Sequence, residues 1–162
     1  FSNMFLTLGR NPLLGILVGA VVTGIIQSSS ASVSILQSLA MTGAVTKSAA
    51  VFITLGQNIG TCVTALISAA GANRTAKRAA VIHLSFNVIG AVIFGIGAMI
   101  LFTAMPEFAH SPITLVEISI FHTFFNVTNT LILFPFANKL VELSGLTRLV
   151  TIERGETDES HE

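Results

Sequence analysis

The sequence LLGILVGAVVTGIIQSSSASVSILQSLAMTGAV, residues 13–45, carries no charge, and its centre is polar: Gln27 followed by Ser28-Ser29-Ser30. The apolar run before this centre, Leu13 to Ile26, would rise about 21 Å as a helix, short of the roughly 30 Å hydrocarbon core of a bilayer. The run after it, Ala31 to Val45, has a similar reach. Two short half-helices that meet at a polar tip indicate a re-entrant helical hairpin. Two tilted spans joined by a tight polar turn are the alternative.

The rest of the chain is equally poor in charge. Of 162 residues, 8 are Lys or Arg and 8 are Asp or Glu, and the mean hydropathy is +0.82. Three further stretches, 48–73, 79–106 and 118–138, carry no charge, and about 20 apolar residues suffice to cross a membrane. The sequence therefore predicts an all-α polytopic membrane protein. This composition excludes a disordered chain and an electrostatic nucleic-acid binder, and the single Cys62 excludes a disulfide framework.

A second polar interruption lies in the apolar segment Ser48 to Ala72. The sequence Gly56-Gln57-Asn58-Ile59-Gly60-Thr61 places two glycines four residues apart around two amides. Because glycine weakens a helix and exposes its backbone, this pattern predicts a broken transmembrane helix with its break near mid-membrane. A continuous helix whose glycines permit close packing is the alternative. Segments 79–105 and 113–136 are predicted to be two further transmembrane helices.

The polar groups inside these segments are neutral oxygens and amides, with Glu117 only at a segment end. A proton relay normally needs buried carboxylates, so that mechanism is disfavoured. Hydroxyls, amides and unwound carbonyls can bind a hard cation, whereas helix N-termini favour anions. Half-helices that begin after Ser30 and near Gly60 could therefore hold an anion and a cation together. No nucleophile motif such as G-x-S-x-G is present, so we expect no enzyme.

Two His-x-x-x-Asn pairs, His83 with Asn87 and His122 with Asn126, each place both side chains on one helix face. Neither pair has metal-ligand spacing, so we expect them to brace the broken elements or to line the pathway.

The basic residues predict the orientation in the membrane. Residues 71–78 contain Arg74, Lys77 and Arg78, whereas residues 106–112 contain no Lys or Arg. Excess Lys and Arg mark cytoplasmic loops. Residues 71–78 and the C-terminal tail, with its three basic residues, are therefore predicted to be cytoplasmic, in the inner membrane of the cell. Because the first residue is Phe1 rather than Met, we expect a fragment or a processed product.

At these motifs the sequence resembles the type II sodium-dependent phosphate cotransporter family, in its bacterial form. The resemblance covers roughly residues 15–137. It is carried in order by Gln27-Ser28-Ser29-Ser30-Ala31, Gly56-Gln57-Asn58-Ile59-Gly60-Thr61-Cys62-Val63-Thr64, Ala76 to His83 with Phe86-Asn87, His122 to Asn126, and Pro135-Phe136.

The resemblance implies sodium-coupled transport of inorganic phosphate by alternating access. Members are built from two inverted repeats, and this chain resembles one of them, with motifs closer to the second. Residues 1–138 would then be the transporter repeat and 139–162 a cytoplasmic polar tail or linker. The implied partners are phosphate, Na⁺ as the coupling ion, the other repeat and the lipid bilayer, without a cofactor or nucleic acid; a homodimer is left open. The implied substrate and ion residues are Gln27, Ser28, Ser29, Ser30, Gln57, Asn58, Thr61 and Thr64, with Na⁺ at Ser30, Gln57, Asn58 and Thr61.

Two other functions fit the same residues. An anion channel could use the same donors without coupling to an ion gradient. A membrane-anchored phosphate-signalling module would instead act through residues 139–162.

Overall fold

Residues 2–145 are described by a computed structural model and are helical apart from short connections. A single 3₁₀ turn, Phe134–Phe136, falls at Pro135 near the end of this part. The predicted all-α class is therefore confirmed for these residues. The helices, in chain order, are α1 (Ser2–Arg10), α2 (Pro12–Ile26), α3 (Ser29–Ala40), α4 (Lys47–Ala70), α5 (Arg74–Ala104), α6 (Pro106–His110), α7 (Leu115–Leu133) and α8 (Ala137–Ser144).

Helices α2 and α3 form a hairpin that turns at Gln27 and Ser28. Gln27 ends α2 in the left-handed conformation, with φ of 56°, and Ser28 is the N-cap of α3. The hydroxyls of Thr23 and Ser32 lie 2.7 Å apart, although a continuous helix would separate positions nine residues apart by about 13 Å. The chain therefore reverses direction at the polar tip. The two arms have 15 and 12 residues, and the second ends at Ala40, five residues before the end of the apolar run from Ala31 to Val45.

Helix α4 is continuous over 24 residues, so the predicted break at Gly56 to Thr61 is wrong. The alternative, close packing at glycine, is what the structure has. A Cβ on Gly60 would lie 2.5 Å from the Ala20 carbonyl oxygen and 2.8 Å from Thr23 Cβ. A Cβ on Gly19 would likewise meet the backbone of Ile53, and a Cβ on Gly56 would meet the backbone of Ile16. These glycines let α2 and α4 run side by side, in parallel, with their backbones in contact. We call this contact the glycine seam.

Within residues 2–145, three segments are long and apolar enough to cross a membrane: Lys47–Ala70, Arg74–Ala104 and Leu115–Ser144. A fourth arises if α1 and α2, which meet at a bend of 112°, count as one span. Helix α5 runs antiparallel to α4, since Leu55 lies beside Gly95 while Cys62 contacts Asn87. Helix α7 runs parallel to α4, because Glu117 reaches Lys47 and Asn126 reaches Asn58.

The end of the bundle opposite the hairpin tip is tied together by short-range polar contacts. Thr46 and Pro112 form an isolated antiparallel bridge, and Lys47 Nζ lies 2.9 Å from Glu117 Oε1. Glu117 also closes the capping box of α7 with Thr114. Buried apolar side chains pack beneath, in one cluster around α1, α3 and the start of α4 and another between α4, α5 and α7.

The predicted boundary at residue 138 falls inside α8. Arg78 Nη2 donates to the Val141 carbonyl oxygen at 2.7 Å, so α8 packs beside the first turns of α5. The cluster of Arg74, Lys77 and Arg78 thus lies at the same end of the bundle as α8. Residues 146–162 of the predicted tail, including Arg148 and Arg154, lie outside the described residues.

Candidate functional site

The hairpin tip presents four of the predicted site residues at the start of α3. The side chain of Ser28 caps α3 by accepting a hydrogen bond from the Ala31 backbone N–H at 3.3 Å. Ser29 and Ser30 are the first two residues of the helix, and Gln27 and Ser30 are exposed. Hydroxyls and free backbone N–H groups therefore meet at the positive end of the α3 dipole, an arrangement that favours an anion.

Below the tip, a buried polar cluster links α2, α3 and α4. Gln57 Nε2 donates to the carbonyl oxygen and to Oγ of Ser32, both at 3.0 Å, and Ser32 Oγ contacts Thr23 Oγ1. All three side chains are at most 3% exposed. Within the described residues, Gln57 Oε1 is buried and has no hydrogen-bond partner. Leaving such an acceptor unpaired costs about 1–3 kcal/mol, so this atom is a strong candidate for an ion ligand.

The four residues predicted to hold Na⁺ are only partly brought together. Thr61 Oγ1 donates to the Gln57 carbonyl oxygen at 2.9 Å, so both residues lie on one face of α4. Asn58 turns to α7 instead, where its Oδ1 accepts from Asn126 Nδ2 at 3.3 Å. Gly24 packs against Val63, which places the tip and Ser30 near the level of Thr61 and the exposed Thr64. Asn58 therefore lies on a different face of α4 from Gln57 and Thr61.

The second half of the site prediction depended on a half-helix beginning near Gly60. Since α4 is continuous, no helix N-terminus exists there, and that expectation is wrong. The polar groups of this region belong to the side of an intact helix. Their oxygens suit a cation, whereas the helix start at the hairpin tip is that of α3.

In both predicted His/Asn pairs, the asparagine side chain makes the contact with α4. Asn87 Nδ2 donates to the His83 carbonyl oxygen at 3.0 Å and to Cys62 Sγ at 3.4 Å. Asn126 Nδ2 donates to the His122 carbonyl oxygen at 2.8 Å as well as to Asn58. The histidines thus contribute backbone carbonyls to these bonds. The asparagines tie α5 and α7 to α4, which agrees with a bracing role.

Sequence reasoning missed Thr23 and Ser32, the two buried partners of Gln57. Their signal was their spacing: each lies four residues from the tip, one before Gln27 and one after Ser28, so a hairpin brings them face to face. It also missed Asn129, which is fully buried, donates to the Phe86 carbonyl oxygen and has an unpaired Oδ1.

The arrangement can bind ions without buried formal charge on the protein. In residues 2–145 no group of three or more His, Cys, Asp or Glu could hold a metal ion. An anion at the α3 N-terminus would stand beside a cation at Gln57 and Thr61, and each would stabilise the other in the low dielectric of the membrane. Such a site is suited to binding a small anion together with a hard cation.

Comparison with known proteins identifies one family and several relatives. A family model described as Na⁺/Pi-cotransporter matches residues 1–127. The uncharacterized protein YqeW of Bacillus subtilis is 35% identical over 130 residues, covering 79% of this chain and 41% of that protein. Sodium-dependent phosphate transport protein 2B of Homo sapiens is 38% identical over 99 residues, or 57% of this chain and 14% of that protein.

A third relative, YjbB of Escherichia coli, is named as a candidate inorganic phosphate export protein. It is 28% identical over 137 residues, covering 85% of this chain and 25% of that protein. The chain thus spans less than half the length of each of these curated relatives. No solved structure matches the chain at a comparable level.

Proposed function

This chain belongs to the Na⁺/Pi-cotransporter family of multi-pass membrane proteins, and on that premise we propose that it forms one repeat of a transporter that couples inorganic phosphate to Na⁺. The observation that carries the proposal is the polar hairpin tip directly above a buried, unpaired amide oxygen. The first suits phosphate and the second suits Na⁺. The other repeat of the transporter completes the two sites in this proposal.

Phosphate binds at the start of α3 in this proposal. The Ser28, Ser29 and Ser30 hydroxyls and the first N–H groups of α3 donate to its oxygens, together with the exposed amide of Gln27. Neutral donors bind a multiply charged anion without a fixed counter-charge. The coupling ion then supplies that counter-charge, and phosphate binding depends on Na⁺.

Sodium binds on the face of α4 that carries Gln57, Thr61 and Thr64. Gln57 Oε1 is held in place because its Nε2 is already bonded twice to Ser32. Because Ser32 belongs to α3, the ion ligand on α4 is hydrogen-bonded to the helix that carries the phosphate donors. This link supports coupling, since a shift of α3 would move the phosphate donors and disturb the Gln57 side chain together. Asn58, Asn87 and Asn126 brace α4 from its other side.

The hairpin is re-entrant in this proposal and opens from the outer face of the inner membrane. Its two arms are too short to cross the hydrocarbon core, and its tip lies beside Val63 rather than at the end of α4. The end that carries Arg74, Lys77, Arg78 and α8 is cytoplasmic by the distribution of basic residues. Alternating access then exposes the tip to either side in turn.

The test is phosphate flux in proteoliposomes that contain the complete transporter, with and without a Na⁺ gradient. Ser29→Ala removes a donor at the tip, whereas Ser38→Ala on the same helix removes a hydroxyl that bonds only to the Ser34 carbonyl oxygen at 2.8 Å. We expect Ser29→Ala to lower the rate at a fixed phosphate concentration by about tenfold, the loss of one hydrogen bond to a charged group. Ser38→Ala is expected to leave it unchanged.

Three outcomes would contradict the proposal. Phosphate flux that does not depend on the Na⁺ gradient would indicate an anion channel. Equal rates for both serine variants would show that phosphate does not bind at the tip. Loss of function on deleting residues 139–162, with the tip tolerant of mutation, would indicate a signalling module. Because one relative is named for export, flux is measured in both directions, and Na⁺-dependence in either direction supports coupling.

A further inference from the structure

An apolar groove runs along the outer half of the bundle between α5 and α7, away from the hairpin. It has a volume of about 490 Å³ and is lined mainly by Phe94, Leu101, Phe102, Ile120, Phe121 and Phe124. The residues along the edges of the groove are well exposed: Ile93 is 42%, Phe124 is 55% and Ile120 is 61% exposed. The groove is therefore open along the surface of two membrane-spanning helices.

Gly97 keeps the groove wide at its centre. A Cβ built on Gly97 would have nothing within 4 Å, whereas a Cβ on Gly95, two residues away, would touch Leu55. The opening therefore results from the absence of a side chain at position 97 on α5. A larger residue there would occupy the groove without displacing the neighbouring helices.

One end of the groove is charged and the other is wholly apolar. Lys47 and Glu117 line the outer end, where their side chains form the 2.9 Å ion pair, and Lys47 Nζ also lies 4.6 Å from the centre of the Phe108 ring. The Glu117 side chain is 41% exposed. The Lys47 side chain is 17% exposed, so Glu117 is the more accessible of the two charges; both lie where α4 and α7 begin, the level expected for lipid headgroups.

We infer that this groove binds one phospholipid with a zwitterionic headgroup, its acyl chain lying between α5 and α7. The phosphate is placed next to Lys47 and the headgroup ammonium next to Glu117, so that each charge of the ion pair gains an opposite charge. The amphipathic shape of the groove matches this ligand.

The inference depends on family membership only for the presence of a bilayer, and it is independent of the proposed ion sites. The test uses the complete protein in proteoliposomes that contain phosphatidylethanolamine with a photoactivatable diazirine in its acyl chain. Mass spectrometry then maps the labelled residues. We expect labelling to concentrate on residues 93–102 and 120–124.

Gly97→Phe fills the groove and is the test variant, with Gly97→Leu as a smaller substitute if the phenylalanine variant folds poorly. Ile100→Phe is the matched control, because Ile100 is 66% exposed on the same helix and does not line the groove. Displacing about two buried methylenes is expected to reduce groove labelling about tenfold. The control is expected to stay within about twofold of the parent.

The headgroup is tested with a diacylglycerol probe that carries the same acyl chain. The parent is expected to prefer the phosphatidylethanolamine probe several-fold, and the double variant Lys47→Gln with Glu117→Gln is expected to lose that preference. Labelling spread evenly over α5, or unchanged by Gly97→Phe, would overturn the inference. So would a disulfide between Gly97→Cys and a cysteine placed in the other repeat, which would show that protein covers the groove.

Discussion

Substituting Gly60 by alanine tests whether the glycine seam holds the hairpin against α4. The added Cβ would meet the Ala20 carbonyl oxygen at 2.5 Å and Thr23 Cβ at 2.8 Å. Weak C–H···O contacts normally lie at about 3.3 Å or beyond, so the two backbones must separate by about 0.8 Å. The oxygen belongs to a helix backbone and cannot turn aside. A gap of that size forfeits about a quarter to a half of each dispersion contact along the seam.

Overpacking of this kind lowers the free energy of unfolding by about 1–3 kcal/mol. The higher helix propensity of alanine offsets about 0.5–1 kcal/mol of that loss. We therefore expect Gly60→Ala to lower the free energy of unfolding by about 1 kcal/mol, and by no more than about 2.5 kcal/mol. Two other glycines provide a graded series. At Gly24 the nearest atom is a Val63 methyl carbon at 3.2 Å, which can move, so the cost is smaller. At Gly97 nothing lies within 4 Å, so alanine is neutral or slightly stabilising.

The assay is unfolding of the complete protein in mixed detergent micelles, followed by circular dichroism as the fraction of sodium dodecyl sulfate rises. The expected order of stability is Gly97→Ala above Gly24→Ala above Gly60→Ala. A Gly60 variant as stable as the Gly97 variant would refute the close backbone contact of α2 with α4. It would also reopen the possibility that residues 56–61 interrupt the helix.

The remaining predictions concern the braces and the outer end. Asn126→Ala removes the donor to buried Asn58 Oδ1 and is expected to cost about 1–3 kcal/mol in the same unfolding assay; no loss would mean that this amide is not a brace. Glu117→Gln keeps the capping box of α7 but removes the ion pair with Lys47, so we expect a loss below about 1 kcal/mol that shrinks in high salt; a large, salt-insensitive loss would contradict this. Gly43→Ala, at φ of 73°, is expected to lower the melting temperature by the equivalent of about 1 kcal/mol of backbone strain, although no atom lies nearby. An unchanged melting temperature would place position 43 outside the left-handed region.

The two polar interruptions of the sequence contain similar residue types but have different structures. At Gln27 to Ser30 the flanking apolar runs are too short to cross a membrane, and Ser28 is a residue type that caps helices. The turn was therefore predictable from the lengths of the runs and from capping. At Gly56 to Thr61 the glycines indicated a break. Their role is set by α2, whose residues Ile16, Ala20 and Thr23 pack against them, and the sequence of one helix does not show which helix lies beside it.

The sequence shows which polar residues lie inside the apolar segments but not which of them pair with one another. Gln57 and Asn58 are adjacent on a helix, so their side chains point about 100° apart and meet different neighbours. Treating them as one ion site required a break that would have brought them together. With α4 intact, Gln57 joins Thr23 and Ser32, and Asn58 joins Asn126. Which of two neighbouring amides faces the hairpin depends on helix packing, which a linear pattern leaves open.

The most direct test of the central claim is a Na⁺ titration of phosphate flux for the complete transporter and for Gln57→Leu. Gln37→Leu is the matched control, because its amide bonds to Leu115 and Ser119 at the outer end, away from the tip. The account predicts that Gln57→Leu raises the Na⁺ concentration for half-maximal flux by about tenfold or more, as expected for a lost hydrogen-bonding ligand to a charge. The control should keep the parent value. A Gln57→Leu curve that coincides with the parent curve would contradict the account.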